Sequence, residues 1–167
     1  MTHGQPESFP HLLDPERLGD HLDRLFRAAW ALCGSREEAE DLVQDTYLRV
    51  LARPRFLRRE EDLAYLLRAL RNTFLAGRRS LRARSVHVPL EEDIERASSA
   101  GPEEALEQRR VYGAIAALQQ DFREALVAVD VAGLSYGEAA RALRVPEGTL
   151  TSRLARARRQ VADALGD

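Results

Sequence analysis

The chain has 167 residues, 44% hydrophobic and 31% charged, with a formal net charge of −2 and one cysteine. That balance describes a soluble, foldable chain of one domain or two small ones. It excludes a polycation, an intrachain disulfide and, with no apolar run near the ~18 residues a span needs, membrane insertion. All 25 basic residues are arginine, so any nucleic-acid surface must come from local segregation of charge.

Residues 1–13 hold two prolines and a glycine among polar residues, the composition of a flexible N-terminal tail. The tail has neither the basic start nor the apolar stretch of a signal peptide, and a cytoplasmic location is expected. Asp14-Pro15-Glu16 reads as a helix start, with Asp as N-cap and Pro in the first turn. Leu18, Leu22, Leu25, Phe26, Ala29 and Leu32 mark one face of that helix. Cys33 closes the same face, as a structural thiol rather than a nucleophile. His3, His11, His21 and His87 show no metal-ligand spacing, and no metal or other cofactor is expected.

Gly34 ends the first helix, and Ser35 with Glu38 opens the next through a capping box. This second helix, about 36–51, buries Ala39, Leu42, Val43, Thr46 and Val50 and leaves Asp41, Gln44, Asp45 and Arg49 outside. Composition alone reads that outer face as a solvated acidic surface, helped by the helix dipole. Residues 52–62 form a loop, with Asp62 expected to cap the following helix. Leu63, Leu66, Leu67, Leu70 and Phe74 make its apolar stripe, and Arg68, Arg71, Asn72, Arg78, Arg79 and Arg82 lie mostly on other faces. Between Arg53 and Arg84 there are ten arginines against three acids. Phe56 in the loop either stacks on bases while the arginines track phosphates or belongs to the core. Gly77, which costs a helix roughly 1 kcal/mol against Ala, is expected to fray or end it.

Residues 85–107 change character: seven acids against one arginine between Glu91 and Glu107, with Pro and Ser-Gly punctuation, predict a flexible acidic linker. Helical periodicity resumes near Glu107, with Val111, Ile115 and Leu118 as one stripe and Phe122, Leu126 and Val129 as the next. Asp121 is the expected cap of the second. Ser135 and Glu138 form another capping box. A short helix then runs to about Leu143, and Arg144-Val145-Pro146 breaks it, with Pro146 expected at the first position of a new helix. In that last helix Leu150 and Leu154 share one face, and Thr149, Ser152, Arg153 and Arg156 surround the other. Six arginines against one acid between Arg141 and Arg159 make the pair of helices a basic helix-turn-helix.

Leu-Ser-Tyr-x-Glu-x-Ala, then Val-Pro-x-Gly-Thr-Leu-x-Ser-Arg-Leu-x-Arg-Ala-Arg (134–158), resembles region four of bacterial RNA polymerase sigma factors. It is most similar to the small extracytoplasmic-function (ECF) group of the sigma-70 family. Glu40–Arg49 resembles the region-two helix that docks on core polymerase. Tyr65–Thr73 resembles the segment that melts and reads the minus-ten element. The resemblance implies an all-α fold of two small helical domains, residues 14–84 and 108–165, joined by the acidic linker.

By that resemblance Asp41, Gln44 and Asp45 bind the coiled-coil clamp of the polymerase largest subunit. Asn72 contacts a flipped minus-ten base, with Phe56 in the loop and Arg68, Arg71, Arg78 and Arg79 along the strand. Thr149, Thr151, Ser152, Arg153, Arg156 and Arg158 form the set at the minus-thirty-five element, where Arg can fork onto guanine. The implied partners are core RNA polymerase, promoter DNA and an anti-sigma factor, for a chain monomeric when free and nucleoid-associated in holoenzyme. Two other classes compete. A stand-alone helix-turn-helix regulator explains 133–159 but gives no task to Asp41, Gln44 and Asp45. A DNA-acting enzyme such as a serine recombinase needs a nucleophile and an α/β half, and the sequence shows no such arrangement.

Overall fold

Capping chemistry sets where the helices begin and end in the computed structural model, which describes residues 9–13, 15–84 and 101–166. The first half holds α1 (Pro15–Cys33), α2 (Arg36–Ala52) and α3 (Asp62–Arg84). The second holds α4 (Pro102–Ala116), α5 (Gln120–Leu126) continued by a π-helical turn (Val127–Val131), α6 (Tyr136–Leu143) and α7 (Glu147–Leu165). The all-α expectation holds, with one small addition. His11–Leu12 (β1) pairs antiparallel with Phe56–Leu57 (β2), His11 opposite Leu57 and Leu12 opposite Phe56.

Ser135 Oγ accepts from the Glu138 N–H at 3.2 Å while Glu138 Oε2 accepts from the Ser135 N–H at 2.8 Å, the full reciprocal box. At Ser35 only the first half is made, Oγ accepting from the Glu38 N–H at 3.4 Å. The turn between α6 and α7 is carried by Arg144, left-handed at φ 56°, and Pro146 is the N-cap of α7 rather than its first residue. A non-glycine in the left-handed region leaves little trace in sequence, which is why the turn reads one residue out.

Other expectations shift for physical reasons. Residues 11–13 are part of the fold rather than a loose tail, because β1 finds an edge in β2 and Leu13 is buried. The expected caps Asp14 and the linker residues 85–100 lie outside the described residues. Helix α3 runs straight through Gly77, whose cost is outweighed by the buried stripe ending at Phe74 and by the turns beyond it. Helix α4 starts at Pro102, five residues before the expected resumption, with Gly101 as N-cap and Glu103 and Glu104 at the positive end of the dipole. Asp121 and Asp62 do not cap their helices: α5 is capped by Gln119 without a side-chain bond, and Asp62 is the buried first residue of α3.

The two halves share one apolar core. Leu25, Leu66 and Leu70 are fully buried in the first half and Leu150 and Leu154 in the second. Helix α1 packs on α4 and the π turn, and α3 packs on α6. Trp30 of α1 stacks on Tyr112 of α4 with ring centroids 4.4 Å apart, and the Arg36 guanidinium sits 5.7 Å over the Trp30 ring. Neither half, at some 60–70 residues, can bury much surface alone, so each covers part of the other's apolar face.

Gly34 lies against the second half. It has φ +77°, and a Cβ there would lie 2.9 Å from Ala116 Cβ. Gly34→Ala should therefore lower stability by about 1–2 kcal/mol from the left-handed backbone alone, read as a lower urea midpoint, with added loss if α4 is pushed away.

Candidate nucleic-acid and partner interfaces

Helix α2 builds the first surface. Its buried residues Ala39, Leu42, Val43, Thr46 and Val50 face α1 and α3. Thr46 sits there at no polar cost because its Oγ1 donates to the Leu42 carbonyl at 2.7 Å. Asp41, Gln44 and Asp45 are all exposed on the opposite face. Leu48, three residues past Asp45 on the same stripe, is 67% exposed. Sequence reasoning missed it, although its spacing of seven, four and three residues from Asp41, Gln44 and Asp45 already placed it on their stripe. The stripe joins two carboxylates and an amide to an apolar step.

The second surface is the loop before α3 together with α3 itself. Phe56 is 72% exposed, which removes the core alternative for it. Arg53, Arg55, Arg58 and Arg59 surround it and are exposed. Asn72, Arg78 and Arg79 face solvent, with the Arg78 guanidinium 5.4 Å from the Phe74 ring centre. Arg68 and Arg71 are not brought together with them. Both are half-buried on the side of α3 that faces the second half. Arg71 Nε lies 2.8 Å from Glu124 Oε2, an ion pair without hydrogen-bond alignment, and Glu124 is buried. Arg68 lines a cleft of about 300 Å³ between α3 and α6 with Arg55, Tyr65, Glu138 and Arg141.

Arg123 completes this joint, and nothing in the sequence singled it out. It is buried and donates to the Leu32 carbonyl at 3.1 Å and the Leu118 carbonyl at 2.8 Å, tying the end of α1 to the α4–α5 turn. Burial, then the nearby Arg78, pulls its guanidinium pKa down, and Glu124 opposes this. Gln120 Nε2 donates to the other Glu124 oxygen at 3.1 Å, so the carboxylate is held from both sides.

Helix α7 presents the third surface. Leu150, Leu154 and Ala157 are buried against the scaffold. Thr151, Ser152 and Arg156 are exposed, and Thr149 is half-buried. Thr151 Oγ1 donates to the Glu147 carbonyl at 2.9 Å and Ser152 Oγ to that of Thr149 at 3.1 Å, leaving each hydroxyl oxygen able to accept. Arg153 Nη2 lies 3.0 Å from Asp121 Oδ2. Arg158 forks onto Asp130 at 2.8 and 2.7 Å, which raises its pKa and fixes α7 to the π turn. Of the arginines expected at DNA on this helix, Arg156 alone has no ion-pair partner among the described residues. No cluster of metal-ligand residues occurs among them, and no helix there is long and apolar enough to cross a membrane.

A family model of sigma-70 region 2 matches residues 18–84, and one of sigma-70 region 4 matches residues 108–161. The chain is 35% identical over 155 residues to "ECF RNA polymerase sigma factor SigE" of Mycolicibacterium smegmatis, covering 90% of this chain and 60% of that relative. It is 35% identical to "ECF RNA polymerase sigma factor EcfG" of Rhodopseudomonas palustris, covering 82% of this chain and 76% of that relative. The chain belongs to the ECF group of the sigma-70 family. It spans less than two thirds of the first relative's length. Its fold is similar to the sigma factor RpoE from Bartonella quintana, solved in complex with the anti-sigma factor NepR, at TM-score 0.70 and 29% identity over 90% of this chain and 95% of that one. The acidic stripe of α2 and the Phe56 loop thus lie in region 2, the helix-turn-helix lies in region 4, and the Arg71–Glu124 pair joins the two regions.

Cys33, at the end of α1, gives this sigma factor's joint a titration signature. Burial, then Glu38, pushes its thiol from 9.0 up to about 12, with Arg123 and Arg78 opposing. Between those values the unfolded chain loses the proton and the folded chain keeps it, so stability falls as pH rises through that window. Burial pushes the Tyr47 phenol to about 12 as well, and its O–H donates to the Leu18 carbonyl at 2.9 Å. Urea midpoints of Cys33→Ala, followed from about pH 8 to pH 11, should therefore fall less steeply than those of the unchanged protein. Equal slopes would contradict the raised thiol pKa.

Proposed function

We propose that this chain binds core RNA polymerase and directs it to promoters, as a non-catalytic subunit acting in the cytoplasm and, within holoenzyme, at the nucleoid. The observation that carries the reading is the order of three surfaces along one sigma-70 chain. An exposed Asp41–Gln44–Asp45–Leu48 stripe comes first, then an exposed aromatic in an arginine loop, then an arginine-bearing helix-turn-helix.

The stripe on α2 meets the clamp of the polymerase largest subunit. Carboxylates facing an arginine-bearing partner set register and on-rate, and Leu48 adds apolar area that charge alone does not supply. Asn72 and Phe56 take the opened minus-ten strand while Arg78 and Arg79 follow its phosphates. On α7, Arg156, Ser152 and Thr149 read the minus-thirty-five duplex, Arg153 joins them on release from Asp121, and Thr151 reaches a phosphate or base. Arg158 acts mainly by holding α7 against Asp130. A stand-alone regulator would leave the α2 stripe and the Phe56 loop without a task.

The packed arrangement is the resting form. The two promoter elements are separated by about 25 base pairs, about 85 Å at roughly 3.4 Å per step, whereas here α6 rests directly on α3. Both elements cannot be held at once until region 4 leaves region 2, and only then does Arg71 exchange Glu124 for phosphate. Docking on polymerase supplies the separation and makes promoter binding bivalent. A similar fold in a sigma factor held by an anti-sigma factor supports capture of this same form by such a protein.

Asp41→Ala combined with Gln44→Ala should abolish co-purification with core polymerase at unchanged helicity, and retained co-purification would remove the docking assignment. Arg156→Ala should weaken holoenzyme binding to a transcribed promoter by about 1–3 kcal/mol, less on DNA with the minus-thirty-five element scrambled. Equal loss on both would make it a phosphate contact.

A further inference from the structure

The segment before residue 18 lies outside both family matches, yet part of it is built onto the minus-ten loop. Opposed residues of an antiparallel pair share a face. His11 and Leu57 are opposed and both half-buried, whereas Leu12 and Phe56 are opposed and exposed, at 43% and 72%. The inner face is anchored. His11 Nε2–H donates to Asp62 Oδ2 at 3.1 Å, His21 Nε2 approaches the same oxygen at 3.9 Å, and Asp62 is 3% exposed. Leu13 is buried directly after the strand. The outer face therefore offers Leu12 beside Phe56 as a two-residue apolar step, within a loop whose Arg53, Arg55, Arg58 and Arg59 are all exposed.

We propose that β1 is part of the strand-reading surface: Leu12 packs against the same unstacked minus-ten base as Phe56, and His11, through Asp62, is the positioning residue that holds β1 in register. This rests on the reading of Phe56 given above. The chemistry favours single-stranded nucleic acid over a protein partner. A base has an apolar face of the size Leu12 and Phe56 present, and its phosphates match the four arginines, which a basic clamp helix would repel. Because the strands are only two residues long, their pairing leans on the anchors beside them, the His11–Asp62 bond and the buried Leu13.

The test uses holoenzyme assembled from the full chain and core polymerase. The probe is a labelled single-stranded oligonucleotide carrying the minus-ten sequence of a promoter that this holoenzyme transcribes. Leu12→Ser should weaken oligonucleotide binding about five- to tenfold, as should Phe56→Ala, and the double variant should be little worse than either. When abasic nucleotides are walked through the oligonucleotide, one position should abolish the difference between Leu12→Ser and the unchanged protein, which a purely structural role would not do. His11→Ala should lose about threefold, and His11→Gln, which keeps a donor at similar reach, should restore it.

If Leu12→Ser and His11→Ala bind like the unchanged protein while Phe56→Ala is weakened, the proposal is wrong and the reading of Phe56 stands. If Phe56→Ala is also without effect, the minus-ten assignment of the loop fails with it. Loss of core polymerase affinity in Leu12→Ser, with unchanged oligonucleotide binding, would make this face a protein contact and overturn the proposal.

Discussion

The seam between the two halves sets one buried carboxylate beside two guanidinium groups, inside the apolar core that the halves share. Glu124, buried in α5, faces Arg71 of α3, while its neighbour Arg123 donates across the joint to the end of α1. Burying such charges costs several kcal/mol per ion unless partners meet them, and here Gln120 and Arg71 meet Glu124 while the Leu32 and Leu118 carbonyls accept from Arg123. Arg71 belongs to α3 in region 2, and α5 packs on α6 and α7 of the helix-turn-helix in region 4. In the function proposed above, the joint holds only while the two reading surfaces are idle. On the same proposal, phosphate replaces Glu124 as the partner of Arg71 once the two regions separate.

Charge is distributed to suit that exchange. The chain carries 25 basic and 27 acidic residues, so no long-range field drives it onto DNA indiscriminately. Acids instead gather on α2 and arginines on the Phe56 loop, α3 and α7. Several of those arginines are held by acids within the fold: Arg71 by Glu124, Arg153 by Asp121 and Arg158 by Asp130. Internal pairing lowers the cationic surface of the free chain and leaves Arg156, Arg78, Arg79 and the loop arginines exposed.

Much of this was legible in the sequence, for physical reasons that differ by element. Helix starts at Ser35 and Ser135 could be read because a capping box is a local bond between residues three apart. The stripes of α1, α2 and α7 could be read because 3.6-residue periodicity is also local. What could not be read is of two kinds. A left-handed non-glycine at Arg144 is local but leaves no signal in residue type, whereas the approach of Ala116 to Gly34 and the pairing of Asp62 with a histidine 51 residues away are long-range facts. Asp121 shows the difference most clearly: a local rule makes it a cap, and a side chain on α7 claims it instead.

Opening of the joint is the claim on which the mechanism turns, and a distance measures it directly. Spin labels at exposed sites in α3 and α7, Arg82→Cys and Gln160→Cys in a Cys33→Ser background, report the separation of α3 from α7. A single short distance is expected in the free chain, and in holoenzyme on a promoter a distance longer by tens of ångströms. A distance that stays short in holoenzyme actively making RNA would contradict it.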